Sequence, residues 1–122
     1  MSKSAFHILR VGLGTTFLWV GILILKEPLS WAGYLHPWAL TLSPFSPEVL
    51  MMITGIFDVA LGVLFLLNLG VRVAGFLAAL HMVGILVGGG VNDITVRDIG
   101  LLTAGLALGM DANRFTGLAW WK

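Results

Sequence analysis

The sequence has no cysteine, few charges and only four prolines, all of them confined to one stretch. The missing cysteine excludes a disulfide, a thiol nucleophile, a Cys-x-x-Cys redox pair and covalent c-type haem attachment. Charged residues make up 11% of the chain, whereas a soluble domain carries about 25%. A net charge of +1 leaves no broad basic face for phosphates, which excludes a nucleic-acid partner. There is no metal-ligand spacing, phosphate loop or Ser/His/Asp set. His7 and His36 fall at very different depths from His81, so a bis-His haem within this chain is not expected.

What the sequence has in abundance is apolar surface. Of its 122 residues, 58% are hydrophobic, and the mean hydropathy is +0.99. A compact soluble fold of this length would have to leave much of that surface in water. The expected class is therefore an all-α integral membrane protein.

Crossing the hydrocarbon core takes about 20 mostly apolar residues. Four stretches qualify, at about 5–25, 48–69, 72–90 and 94–110, and they predict a single-domain four-helix bundle. Their long, continuous apolar runs argue against alternating β-strands. Lys26-Glu27-Pro28 stops the first span, and the 26–47 loop holds every proline. Ser46 before Pro47-Glu48 suits a helix start. Asn68-Leu69-Gly70 predicts a tight turn into the third span, making spans two and three antiparallel neighbours.

Basic residues set the direction. Lys3, Arg10, Arg72, Arg114 and Lys122 fall on one side, against Lys26 and Arg97 on the other, so both termini are expected in the cytoplasm of a prokaryotic inner membrane. A cleaved leader is not expected, because Arg10 interrupts the first apolar run and no small-x-small site follows. Trp31, Tyr34 and Trp38 in the outer loop, and Trp120 and Trp121 in the 111–122 tail, suit interfacial anchors. The tail is expected to lie on the inner surface.

The chain has 16 glycines, most of them inside the spans. Helical spacing sorts small residues into stripes, each with one ionisable group: Arg10/Gly14/Phe17/Gly21, Gly55/Asp58/Gly62, Ala74/Ala78/His81/Ile85 and Asp98/Leu102/Gly105/Gly109. Small residues let helices approach closely in lipid, so these faces are expected to meet in the interior.

A charge at bilayer depth costs several kcal/mol unless paired or hydrated. Asp58 falls roughly 15 Å from the outer end of span two, and His81 roughly 13 Å from the inner end of span three. Both are near the midplane, where a hydrogen bond between them is geometrically open. Arg10 lies roughly one and a half turns inside the inner boundary, and its side chain is long enough to reach towards Asp58, so a pairing of Asp58 with Arg10, with His81 or with a ligand stays open. Arg10, Asp58 and His81 form the candidate polar site. One reading is a pocket for a quinone head group or a proton relay. The other is an internal network that fixes helix register. Arg97 and Asp98 are read as a charge pair at the start of span four.

These pieces, in this order, resemble the DoxX/DoxD-like family of small four-span membrane proteins. The matching segments are Arg10-x-x-x-Gly14-x-x-Phe17-Leu18-Trp19-x-Gly21 running to Lys26, Gly55-x-x-Asp58-x-x-x-Gly62, Leu69-Gly70-Val71-Arg72-x-Ala74-Gly75 and Arg97-Asp98-Ile99-Gly100-Leu101-Leu102. The second-span acid of that family is commonly Glu, one methylene longer than Asp58. The resemblance implies a membrane subunit of the kind associated with terminal quinol oxidase or thiosulfate:quinone oxidoreductase. Others of the family are implicated in thiol-linked redox complexes, a role the absence of cysteine places outside this chain.

The leading expectation is thus a subunit of a quinone-linked oxidoreductase complex, not catalytic alone, with no redox centre and no cofactor bound by this chain alone, and with a quinone as a candidate ligand. The alternatives are a purely structural accessory subunit and a small oligomeric transporter or channel. Expected partners are the lipid bilayer, other membrane or redox subunits, and further copies of the chain.

Overall fold

The computed structural model describes residues 1–112, and Arg114, Trp120, Trp121, Lys122 and all but the first two residues of the expected 111–122 surface tail lie outside them. The described residues form six helices and no strand: α1 Lys3–Lys26, α2 Pro28–Ala32, α3 Pro37–Leu42, α4 Pro47–Leu67, α5 Val71–Gly89 and α6 Val96–Asp111. Three of them, α1, α4 and α5, are long and apolar enough to cross a membrane. At 16 residues, α6 is shorter and spans about 24 Å, against a hydrocarbon core of about 30 Å.

Local chemistry explains the boundaries. Ser2 and Ser46 cap α1 and α4 by accepting from the backbone N–H groups of Ala5 and Val49. Pro28, Pro37 and Pro47 each sit in a first helical turn, where a missing N–H costs nothing. The proline-rich loop therefore folds into two short helices. At the end of α4, buried Asn68 adopts the left-handed conformation (φ 58°). Its N–H donates to Phe65 O and that of Leu69 donates to Leu64 O, the paired bonds of a Schellman closure. The side chain of Asn92 accepts from the N–H groups of Ile94 and Thr95 to start α6.

Packing within the bundle is uneven. Helix α1 lies mainly on α4, and α5 mainly on α6. Consecutive α4 and α5, expected as neighbours from their short turn, touch far less. The glycines explain this pairing. A Cβ at Gly62 would lie 2.6 Å from the backbone nitrogen of Leu18, and one at Gly21 2.8 Å from Gly55 O. Across the other seam, a Cβ at Gly75 would lie 2.5 Å from Gly105 O. Gly75 lies off the expected Ala74/Ala78/His81 stripe, so that stripe does not supply the closest approach. Backbones this close gain dispersion contacts that bulkier residues would block.

The two seams leave a filled end and an open end. Around the start of α1, the end of α6 and the α4–α5 turn, Phe6, Phe17, Leu61, Phe65, Val71, Ala74 and Leu108 form the main core. At the other end, Ile24, Ala32 and Met51 make a smaller cluster beneath the loop helices. The loop is fastened to α5 by the His36 N–H, which donates to Gly88 O at 2.8 Å. Outward faces carry large apolar side chains such as Ile8, Trp19 and Leu80, each more than 60% exposed. That pattern suits a hydrocarbon solvent rather than water.

Candidate functional site

Halfway along the bundle, α4 and α5 meet through two side chains. Asp58 is about 16 Å along α4 and His81 about 15 Å along α5, so a residue on each reaches the same level. Asp58 Oδ1 lies 2.9 Å from His81 Nε2. The Phe57 ring packs edge to face with the imidazole, with centroids 4.9 Å apart. Asp58 is almost wholly buried, and His81 is partly open.

Arg10 stands apart from this pair. It is fully buried, and its Nη1 donates to Phe65 O and to Leu66 O, the latter at 3.0 Å. Its Nε donates to His7 Nδ1 at 3.1 Å. Phe65 lies two turns beyond Asp58, about 10 Å further along α4. The expected convergence of Arg10 on Asp58 is therefore corrected. The C-terminal carbonyls of α4 carry the negative end of the helix dipole and have accepting capacity to spare, Phe65 O taking only the Asn68 N–H from its own chain end. They take the guanidinium that a carboxylate would otherwise have held.

Asp58 and His81 border a half-open cavity of about 580 Å³ between the two helix pairs. Its walls are mostly apolar and come from α1, the loop helices, α4, α5 and the start of α6. Trp31 and Tyr34, read from sequence as surface anchors, line it and contact each other edge to face, with centroids 5.7 Å apart. Trp38 stays exposed. Arg97 and Asp98 also line the cavity, but among the described residues they form no direct ion pair. The Arg97 Nε donates instead to Ile94 O at 3.0 Å. Sequence reasoning missed Thr54, one turn before Asp58 on the same face, as a cavity-wall residue. Its spacing of four from Asp58 was the available signal.

A small helical protein with apolar outer faces, glycine-sealed seams and a cavity ending on a buried carboxylate–imidazole pair belongs to the class of membrane proteins. The family model for DoxX matches residues 5–90, about 70% of the chain, and the chain belongs to the DoxX family. The match spans α1 to α5 and ends before α6, so the segment from Arg97 to Leu102 is not part of it. No curated protein and no solved structure matches the chain.

Proposed function

We propose that this protein is a four-span subunit of the prokaryotic inner membrane, with both termini cytoplasmic, that presents a quinone-accessible pocket to a larger electron-transfer assembly. It holds no redox centre and is not catalytic alone. One observation carries the reading: the apolar cavity ends on the Asp58–His81 pair near mid-helix. Cavities that hold small molecules are largely apolar with a few convergent polar groups, and this one has that composition. A buried ionisable pair at membrane depth is costly unless it has a use, and register alone does not call for an adjoining void. The short α6 packs along α5 and supplies the fourth span.

The test has two parts. Extraction in gentle detergent is expected to bring cytochromes or flavoproteins with the chain. In that assembly, Asp58→Asn is expected to lower quinone-linked turnover without reducing the amount of complex. Unchanged turnover with intact assembly contradicts the pocket's role. A purely structural subunit would show the opposite pattern, in which deletion lowers the amount of complex and leaves the activity of each remaining complex unaltered.

A further inference from the structure

The Asp58–His81 pair has a sealed side and an open side. Towards the chain termini, one turn along each helix brings Leu61 on α4 and Ala78 on α5, both almost wholly buried. The next turn brings Phe65 and Ala74, which are fully buried. With Leu13 and Phe17 of α1 these residues form one continuous apolar core. Arg10 lies at the far side of that core, its guanidinium held on Phe65 O and Leu66 O. Arginine keeps its charge in proteins, and a fixed cation in a low-dielectric core repels an approaching proton.

Towards the loop the surroundings reverse. The cavity starts at the pair and has room for several waters, with Thr54, Thr95, Tyr34 and Asp98 as polar wall residues. The glycine seam sets the level of Asp98. A Cβ at Gly105 would lie 3.4 Å from Ala78 Cβ, and one at Gly109 3.2 Å from Arg72 O, so α5 and α6 run antiparallel with Gly105 beside Ala78. Counting equally along both helices, from Ala78 to Ile85 and from Gly105 to Asp98, sets Asp98 beside Ile85, about 6 Å further towards the loop than His81. At that distance the charges of Asp58 and His81 both act on the Asp98 carboxylate. The charge of Arg97 acts on it too, so Arg97 and Asp98 together add no net charge to the open side. Tyr34 is the remaining titratable group on the wall, and α1 turns none towards it.

We infer that the Asp58–His81 pair exchanges its proton with the loop side of the membrane alone, and that Asp98 is the intermediate acceptor through which this proton passes. The proton crosses cavity water between the pair and Asp98, and only bonds to that proton form and break. The sealed core and Arg10 close the other direction. The inference goes beyond the quinone-linked role and does not depend on it. It adds that a proton given up by any ligand at the pair leaves on the loop side.

The test uses the full chain in proteoliposomes of one orientation, checked by protease removal of a terminal tag. One preparation has the loop side out and the other has it in. Rapid mixing steps the external pH, and infrared difference spectroscopy reads the imidazole ring modes, with the His81→Gln protein subtracting the signals of His7 and His36. A step on the loop side is expected to change His81 promptly, and a step on the terminal side to change it only after a protonophore is added. Asp98→Asn is expected to slow the loop-side response about a hundredfold, and Asp98→Glu to restore it. Equal response from both sides, or none from either, overturns the inference. A wild-type rate in Asp98→Asn overturns the part given to Asp98. Because the chain has no cysteine, a second measurement needs no change at Asp98. A membrane-impermeant thiosulfonate is expected to label Leu101→Cys, on the cavity wall, from the loop side alone, and Leu61→Cys, in the core, from neither side. Labelling of Leu61→Cys, labelling of Leu101→Cys from the terminal side, or its failure from the loop side contradicts one-sided access. None of these readings involves a quinone, so their failure leaves the quinone-linked role standing.

Discussion

The two ends of this bundle handle a buried charge in opposite ways. At the end near the termini, Arg10 is enclosed by a continuous core and spends hydrogen bonds on the last carbonyls of α4. Midway along, where the cavity of the other end begins, Asp58 lies against His81 and borders a space of about 580 Å³. Both residues sit inside apolar helices, and the sequence offers both as candidates for one polar site. The difference lies in what surrounds them. A cation whose neighbours are helix-terminal carbonyls is a structural cap, and a cation there complements the helix dipole. A carboxylate beside an open space keeps room for a further partner.

The seams beneath this contrast offer the strongest way to break it. In Gly62→Leu, the new Cβ would fall 2.6 Å from the backbone nitrogen of Leu18 and 2.8 Å from Gly14 O, neither of which can move alone. Helices α1 and α4 must separate, and a loss above about 4 kcal/mol is expected in a denaturing-detergent unfolding titration. A stable Gly62→Leu protein would mean that the helices do not pair through that seam. Arg10→Ala comes next. It strips donors from Phe65 O and Leu66 O and empties a large buried volume, so a loss of about 2–4 kcal/mol is expected in the same titration. Ligand affinity in the surviving folded fraction is expected to stay at the wild-type value.

Asp58→Asn sharpens the contrast from the other side. Asparagine keeps the shape and a contact to His81, so the stability change is expected to stay below about 1.5 kcal/mol while affinity for the cavity's ligand falls about tenfold. A large stability loss with unchanged affinity would make Asp58 the same kind of residue as Arg10. The smallest effect is expected at Gly100, where a Cβ would meet nothing within 4 Å. Gly100→Ala should therefore change stability by less than about 1 kcal/mol, towards greater stability from helix propensity.

The helices were legible in the sequence because their signals are local. Long apolar runs marked α1, α4 and α5, Ser46-Pro47 marked a start, and Asn68-Leu69-Gly70 marked a turn. The pairing of those helices was not legible. A glycine stripe announces a close approach without naming the partner, and Gly14 fits Gly62 as readily as it fits Gly105 until the backbones are placed. The destination of Arg10 was hidden for a related reason. Its side chain can reach either a carboxylate or a helix end, and only the register of α1 against α4 decides between them. The cavity had no signal of its own, since a void is a property of several elements at once. Its wall residues Trp31 and Tyr34 read equally well as interfacial anchors.

The central claim is that the open end is a ligand site distinct from the structural end. Leu101 is a wall residue of the cavity, and Leu101→Trp puts a larger side chain into that space. Native mass spectrometry of the protein released from mild detergent compares this variant with the wild type, alongside their melting temperatures. The account predicts one small apolar molecule retained per wild-type chain and none on Leu101→Trp, with melting temperatures that agree within a few degrees. Equal retention by both proteins, or none by either, would contradict it.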